Sequence, residues 1–277
     1  MSNDRTLPRL LRLIMTGMAL TQIAFGLTLF LNPAAIANLW PWALSEATAR
    51  LLAASTLVTV PLAMLSVMAN RASVARIPMV MMIAYRLVQL SAGVVHIARF
   101  DLSRPTTWNY FGGGLFMLVV MALWLARADR LGQPVAGAPS WIGGEAPLKM
   151  GGMARWVFRL AGIVYVLLAV IFFAQGKDAD WLWFEPAKLT PLTARLFASP
   201  TLGLGLALWL VTRARLWRQV AVPAAGMVTF GLVGGLAFAT SWHNVAPTTI
   251  AGYAIPLTPL VLFVLGLYLL VSARDRV

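Results

Sequence analysis

Eight stretches of this chain run for 17 to 23 residues without an acidic side chain: Leu13–Leu31, Leu51–Ala69, Ile77–Ala98, Tyr110–Ala126, Trp156–Ala174, Leu196–Thr212, Val220–Trp242 and Ile250–Val271. A helix needs about 20 predominantly apolar residues to cross the hydrocarbon core of a bilayer. That core holds no water to satisfy backbone N–H and C=O groups, so runs this apolar are expected as helices, whose hydrogen bonds close within the segment. Composition agrees: the residues are 60% hydrophobic and 11% charged, against roughly a quarter charged in a soluble domain. The expected fold is an all-α membrane protein with eight transmembrane helices.

The chain also repeats itself. Residues 41–53 read Pro-Trp-Ala-Leu-Ser-Glu-Ala-Thr-Ala-Arg-Leu-Leu-Ala, and residues 186–198 read Pro-Ala-Lys-Leu-Thr-Pro-Leu-Thr-Ala-Arg-Leu-Phe-Ala. Seven of the 13 positions are identical at a shift of 145 residues, and an internal repeat of this kind implies a duplicated unit. The expected organisation is a first four-helix unit over 1–128, a Gly/Pro-rich cytoplasmic linker over 129–152, and a second four-helix unit over 153–277. The first run, preceded by Arg5, Arg9 and Arg12 and followed by Ala35-Ile36-Ala37, has the look of a removable leader. Its counterpart in the second unit cannot be removed, so the first run is expected to stay as a span.

Counting Lys and Arg between the runs fixes an orientation. Fourteen fall on the side of the two termini, the 70–76 and 213–218 turns and the linker, and four (Arg99, Arg104, Lys177, Lys188) fall on the other. The positive-inside rule places both termini in the cytoplasm, here of a bacterial inner membrane. Four spans per unit make both units cross in the same sense, so the expected relation is a parallel pair about an axis along the membrane normal. The net charge of +13 could suggest a nucleic-acid partner. The basic residues sit in short gaps between apolar runs, so nucleic acid is excluded and anionic lipid headgroups are expected in its place. With no cysteine there is no disulfide or thiolate chemistry.

Within the motif, Ser45 and Thr190 are placed as helix N-caps, with Pro191 at the first helical position. Trp40, Trp42, Trp181 and Trp183 suit the headgroup layer. Arg50 and Arg195 follow about one turn into their helices. They either reach to outer-leaflet phosphates and loop carbonyls or form a pair facing an anion across the pseudo-axis. The motif Trp-Pro-x-x-Leu-(Ser/Thr)-x-x-Thr-Ala-Arg resembles one in uncharacterised multi-span membrane proteins of high-GC bacteria, and the four-span unit resembles the DoxX-like group. Neither resemblance implies an activity.

The most costly residue is Arg86, near the middle of the third run. A central arginine costs about 2.5–3.5 kcal/mol on insertion scales, and no run supplies a carboxylate. At 100° per residue Arg86, Gln89, Gly93 and His96 share an arc of about 80°. The equivalent positions in the seventh run carry Gly231 and Gly234, and Gly231 with Gly235 makes a GxxxG spacing. The expectation is a cavity between the third and seventh spans, with Arg86, Gln89 and His96 on one wall, Gly231 and Gly235 on the other, and Arg50 and Arg195 at the outer mouth. Its occupant is an anionic lipid or small amphiphile. The alternative is that Arg86 bonds neighbouring carbonyls and only fixes packing.

Catalytic constellations are scarce. The runs contain no Cys, Asp or Glu and a single His, His96, so paired carboxylates are absent from them and catalysis is not expected there, although acids near the outer surface leave an enzyme open. His96 and His243 could hold a metal or haem between helices or simply form interfacial hydrogen bonds; no cofactor is named. Gly112-Gly113-Gly114 lacks a following Lys and is read as a packing site, not a phosphate loop. The leading functional class is binding or permeation of an anionic or amphipathic small molecule. Its competitor is a non-catalytic scaffold or accessory subunit with a membrane-protein partner.

Overall fold

The computed structural model describes residues 4–37, 39–42, 44–132, 146–176, 190–245 and 253–271, and all regular elements among them are helical. In order these are α1 (Arg9–Leu31), α2 (Pro33–Ala37), α3 (Glu46–Leu57), α4 (Thr59–Ala69), α5 (Ala72–Val95), α6 (Pro105–Trp108), α7 (Gly114–Arg127), α8 (Gly152–Gln175), α9 (Pro191–Leu196), α10 (Ala198–Val211), α11 (Arg218–Val245) and α12 (Ala254–Val271). Three pairs run on as single rods: α3 with α4, α6 through a π-helical turn at Asn109–Gly113 into α7, and α9 with α10. Seven of the resulting helices are long and apolar enough to cross a membrane, which is consistent with an integral, multi-pass protein. Eight were expected. The last helix has a shorter apolar stretch, Ile255–Val271, and the residues at 246–252 lie outside those described.

The two motif copies start their helices alike. Ser45 Oγ accepts from Thr48 N at 3.3 Å and Thr190 Oγ1 accepts from Thr193 N at 3.2 Å. Both caps have extended backbone, φ/ψ −80/157 and −75/151, and Pro191 occupies N1 of α9. These hydroxyls satisfy amides that the helix itself leaves orphaned. Ser45→Ala and Thr190→Ala are each expected to cost about 0.5–2 kcal/mol, read as two similar drops in thermal stability in detergent. Of the tryptophans, Trp42 is buried rather than at the headgroup layer; Trp181 and Trp183 are outside the described residues.

Packing places α3–α4, α10 and α11 at the centre, as the most buried rods. The helix α1 packs on α3 and α4, α8 on α10, α5 on α7, and α11 on α12. The halves also pack on each other: α5 lies on α9, α10 and α11, and α11 lies on α3 and α4 as well. Close approach follows from missing side chains. A Cβ at Gly162 of α8 would stand 3.0 Å from the Gly205 carbonyl oxygen of α10, and one at Gly205 would stand 3.0 Å from Val166 N. Backbones this near gain dispersion contact that larger residues would prevent.

At the end bearing the 70–76 and 213–218 turns, Asp4 is buried between two arginines. Its carboxylate lies 3.5 Å from Arg71 Nη1 and 3.4 Å from Arg218 Nη2, and the three side chains are 5%, 4% and 2% exposed. Ser73 adds its Oγ at 2.6 Å and its amide at 3.0 Å. Arg71 and Arg218, expected as exposed topology charges, are therefore interior groups. The linker also departs from expectation. Leu148 N bonds Arg215 O and Trp217 N bonds Ala146 O, so its far end docks on the 213–217 turn, with Leu148 and Met150 buried.

Candidate functional site

Arg86 opens into a cavity of about 390 Å³, at the small end of ligand pockets. At 1.5 Å per residue it lies about 13 Å below the end of α5 at Val95. The cavity lies within the first half of the chain. Its walls come from α1 (Gly17, Thr21, Gln22, Phe25), α5 (Tyr85, Arg86, Gln89) and the α6–α7 rod (Asn109, Tyr110, Phe116). The expected cavity between the third and seventh spans is not this one: neither Gly231 nor Gly235 lines it. Gly231 is spent on helix packing, since a Cβ there would stand 2.5 Å from Pro259 O and 2.6 Å from Phe263 Cβ of α12. Gly235 has open space where its Cβ would be.

The donors on the α5 wall outnumber the acceptors they meet. Arg86 Nη1 donates to Gln89 Oε1 at 2.7 Å, and its Cζ lies 5.6 Å from the Tyr85 ring centroid. No carboxylate pairs with Arg86 among the described residues. A guanidinium carries five N–H donors, and the Gln89 amide adds two more once its oxygen is engaged. Together they face the cavity as a cationic, donor-rich patch, the complement of a carboxylate or phosphate. Tyr110 Oη donates to the backbone carbonyl oxygen of Gln89 and so ties the α6–α7 rod to α5 beside the patch.

A π-helical turn at Asn109–Gly113 forms part of this wall. Such a turn inserts a residue into the helix and recurs at functional sites. A Cβ on Gly113 would stand 2.9 Å from Asn109 Oδ1, so a larger residue there would displace the Asn109 side chain. The Gly112–Gly114 run, expected to pack, does so at Gly114 against Leu90, while Gly112 faces open space.

The end of the cavity nearest the 39–42 and 101–107 segments is roofed. The Trp40-Pro41-Trp42 segment is bonded across to the 101–107 loop through Asp101 N to Pro41 O at 3.0 Å, Arg104 Nη1 to Trp40 O, and Thr106 Oγ1 to Leu39 O. Trp42 packs edge-on against Phe100 and Tyr110 with centroids 5.1 and 5.7 Å apart. Asp101 is held below the usual carboxylate range chiefly by hydrogen bonds from Ser103, then from Arg104, so it stays an anion that anchors Arg104 at 2.8 Å. Gly93, on the expected polar arc, serves this cluster: a Cβ there would stand 2.6 Å from Tyr110 Cε1.

The remaining predicted residues lie elsewhere. Arg50 pairs with Glu46 one turn earlier at 3.4 Å. Arg195 has Pro191 at the matching position and does something different. Its Nε donates to Phe173 O at 2.9 Å, closing the end of α8, and its Nη1 donates to His96 Nε2 at 2.7 Å. An arginine only donates, so His96 accepts at Nε2 and carries its proton on Nδ1. Arg50 and Arg195 therefore do not form a matched pair at one mouth. His243 lies in α11, and its side chain is outside the described residues.

His96 sits just beyond α5, and its pKa is lowered, first by burial and then by the Arg195 and Arg99 charges. The unfolded chain therefore takes up the imidazole proton at higher pH than the folded protein. Stability is expected to be full above about pH 6.5 and to fall as pH drops below it toward the folded-state value. A pH series of melting temperatures checks this, and His96→Gln should remove that component of the slope.

Sequence reasoning missed Thr21, Gln22 and Asn109. Adjacent polar residues inside the first run, and an asparagine at the edge of the fourth, were the available signals. A smaller cavity of about 50 Å³ lies between α3 (Leu51, Ala54) and helices of the second half, where Phe172, Phe230, Gly234, Phe238 and Pro259 line it. Its lining is mostly apolar, whereas that of the first carries Arg86, Gln89, Gln22 and Asn109. Comparison with protein-family models, curated proteins and solved structures finds no match.

Proposed function

We propose that the chain is a multi-pass protein of the bacterial inner membrane that binds a small anionic or amphipathic molecule, a lipid included, in the cavity of its first four-helix unit. Arg86 is the anchor, and Gln89, Gln22, Asn109 and Tyr110 are the polar surround. One observation carries this reading: a guanidinium about 13 Å below the helix end, without a carboxylate partner among the described residues, opens into a cavity of about 390 Å³. Intramembrane charge is costly and is retained chiefly where it meets a ligand, an ion path or water.

The same reading includes two tandem units, both termini cytoplasmic, and the DoxX-like resemblance of each unit. The matched caps at Ser45 and Thr190 support the duplication, as do Pro78 in α5 and Pro223 in α11, which share the motif's spacing of 145 residues. The reciprocal packing of α5 on α10 and of α11 on α3–α4 is what a twofold relation produces. In the second unit Gly231 replaces the arginine, so binding is assigned to the first unit alone.

Native mass spectrometry of the gently solubilised protein tests the binding reading. A retained anionic lipid or metabolite that is absent from Arg86→Leu supports it. A stoichiometric protein partner with no small ligand overturns it in favour of a scaffold.

A further inference from the structure

We infer that the ligand reaches Arg86 sideways from the bilayer, through a slot between α1 and α7, and that it is a single-chain anionic amphiphile rather than a water-soluble anion. This rests on the binding reading above and extends it to the class of ligand and its route.

The cavity has a wall, a roof, a floor and one open side. Its wall is α5 with the Arg86–Gln89 donor patch, and its roof is the Trp40-Pro41-Trp42 segment bonded to the 101–107 loop. Its floor is apolar, made by Ile14, Met18 and Met117, with Met18 and Met117 continuous with the main hydrophobic core. The helices on either side of the fourth face have other partners: α1 packs on α3 and α4, whereas α7 packs on α5. Gly17 and Thr21 of α1 and Phe116 of α7 line the cavity and are at the same time exposed. A Cβ at Gly17 would meet nothing within 4 Å. In a bilayer these positions face lipid, so the cavity opens toward acyl chains while its aqueous end is covered.

The chemistry of the lining then selects the occupant. The donor patch takes a carboxylate or phosphate, and the methionine floor and Phe116 take hydrocarbon. A cavity of about 390 Å³ holds a head group and part of one chain, with the rest of the chain leaving through the slot. A two-chain lipid would have to leave most of both chains outside.

The chain has no cysteine, so a Thr21→Cys/Phe116→Cys pair can be bridged with a short bis-thiol linker and compared with the same protein unbridged. The probes are a fluorescent C16 carboxylate supplied in neutral phosphatidylcholine vesicles and, separately, butyrate and inorganic phosphate in solution. Bridging is expected to slow association of the C16 carboxylate at least tenfold, and Arg86→Leu in the unbridged protein should weaken its binding about 10- to 100-fold. Unchanged association after bridging overturns lateral entry while leaving the site intact. Butyrate or phosphate binding as tightly as the C16 probe overturns the amphiphile assignment in favour of a soluble anion. Binding of the C16 probe that Arg86→Leu leaves unchanged overturns the parent reading itself.

Discussion

Asp4→Ala is expected to destabilise the protein by about 3–5 kcal/mol, the usual cost of removing one partner from a buried ion pair. The reason is local and electrostatic. Asp4 sits between Arg71 and Arg218, all three at most 5% exposed, and its loss leaves two buried guanidinium groups close together without their shared carboxylate. Arg71 already has Nε and Nη2 buried without hydrogen-bond partners among the described residues, so it has little else to fall back on. The carboxylate also accepts the Ser73 amide and hydroxyl at the first turn of α5, where negative charge favours the helix dipole. Thermal unfolding in detergent measures the loss. Adding Arg71→Met and Arg218→Met to Asp4→Ala should restore most of it, because apolar side chains of similar length replace buried ion pairs at little cost. If Asp4→Ala melts with the parent protein, the cluster is not the clamp described here.

Arg86→Leu should move stability and binding in opposite directions. Removing a central charge that has one hydrogen bond, to Gln89, relieves an insertion cost of about 2.5–3.5 kcal/mol, so the variant should fold and melt at or above the parent temperature. Binding of an anionic amphiphile should weaken by about 10- to 100-fold, since hydrogen bonds to charged groups contribute roughly 1.5–3 kcal/mol and 1.4 kcal/mol is a factor of ten. Arg86→Lys should recover part of the affinity, as a lysine keeps the charge and loses the planar fork. Isothermal or fluorescence titration against anionic and neutral amphiphiles reads these differences. Equal affinity of parent and Arg86→Leu for both would remove Arg86 from the site. A simultaneous collapse of stability would show that Arg86 serves packing.

The positions of the helices and the cost of Arg86 were legible along the chain, because both depend on local quantities. Hydropathy over about 20 residues decides what can lie in hydrocarbon, a hydroxyl three residues before an orphan amide decides where a helix starts, and no apolar run contains a carboxylate to neutralise Arg86. Helical periodicity also placed Gln89 beside Arg86 correctly, as their 2.7 Å hydrogen bond shows. Pairings between distant segments were beyond that reach. Asp4 meets Arg71 from 67 residues away and His96 meets Arg195 from 99, and no periodicity carries such information. Which side of α5 opens into a cavity was likewise a matter of which helices crowd it. The glycines of α11 suggested a hollow opposite Arg86, and α12 fills that hollow by packing directly on Gly231. A glycine in sequence reports only that a side chain is missing; whether a neighbour or a void takes its place is settled when the helices pack.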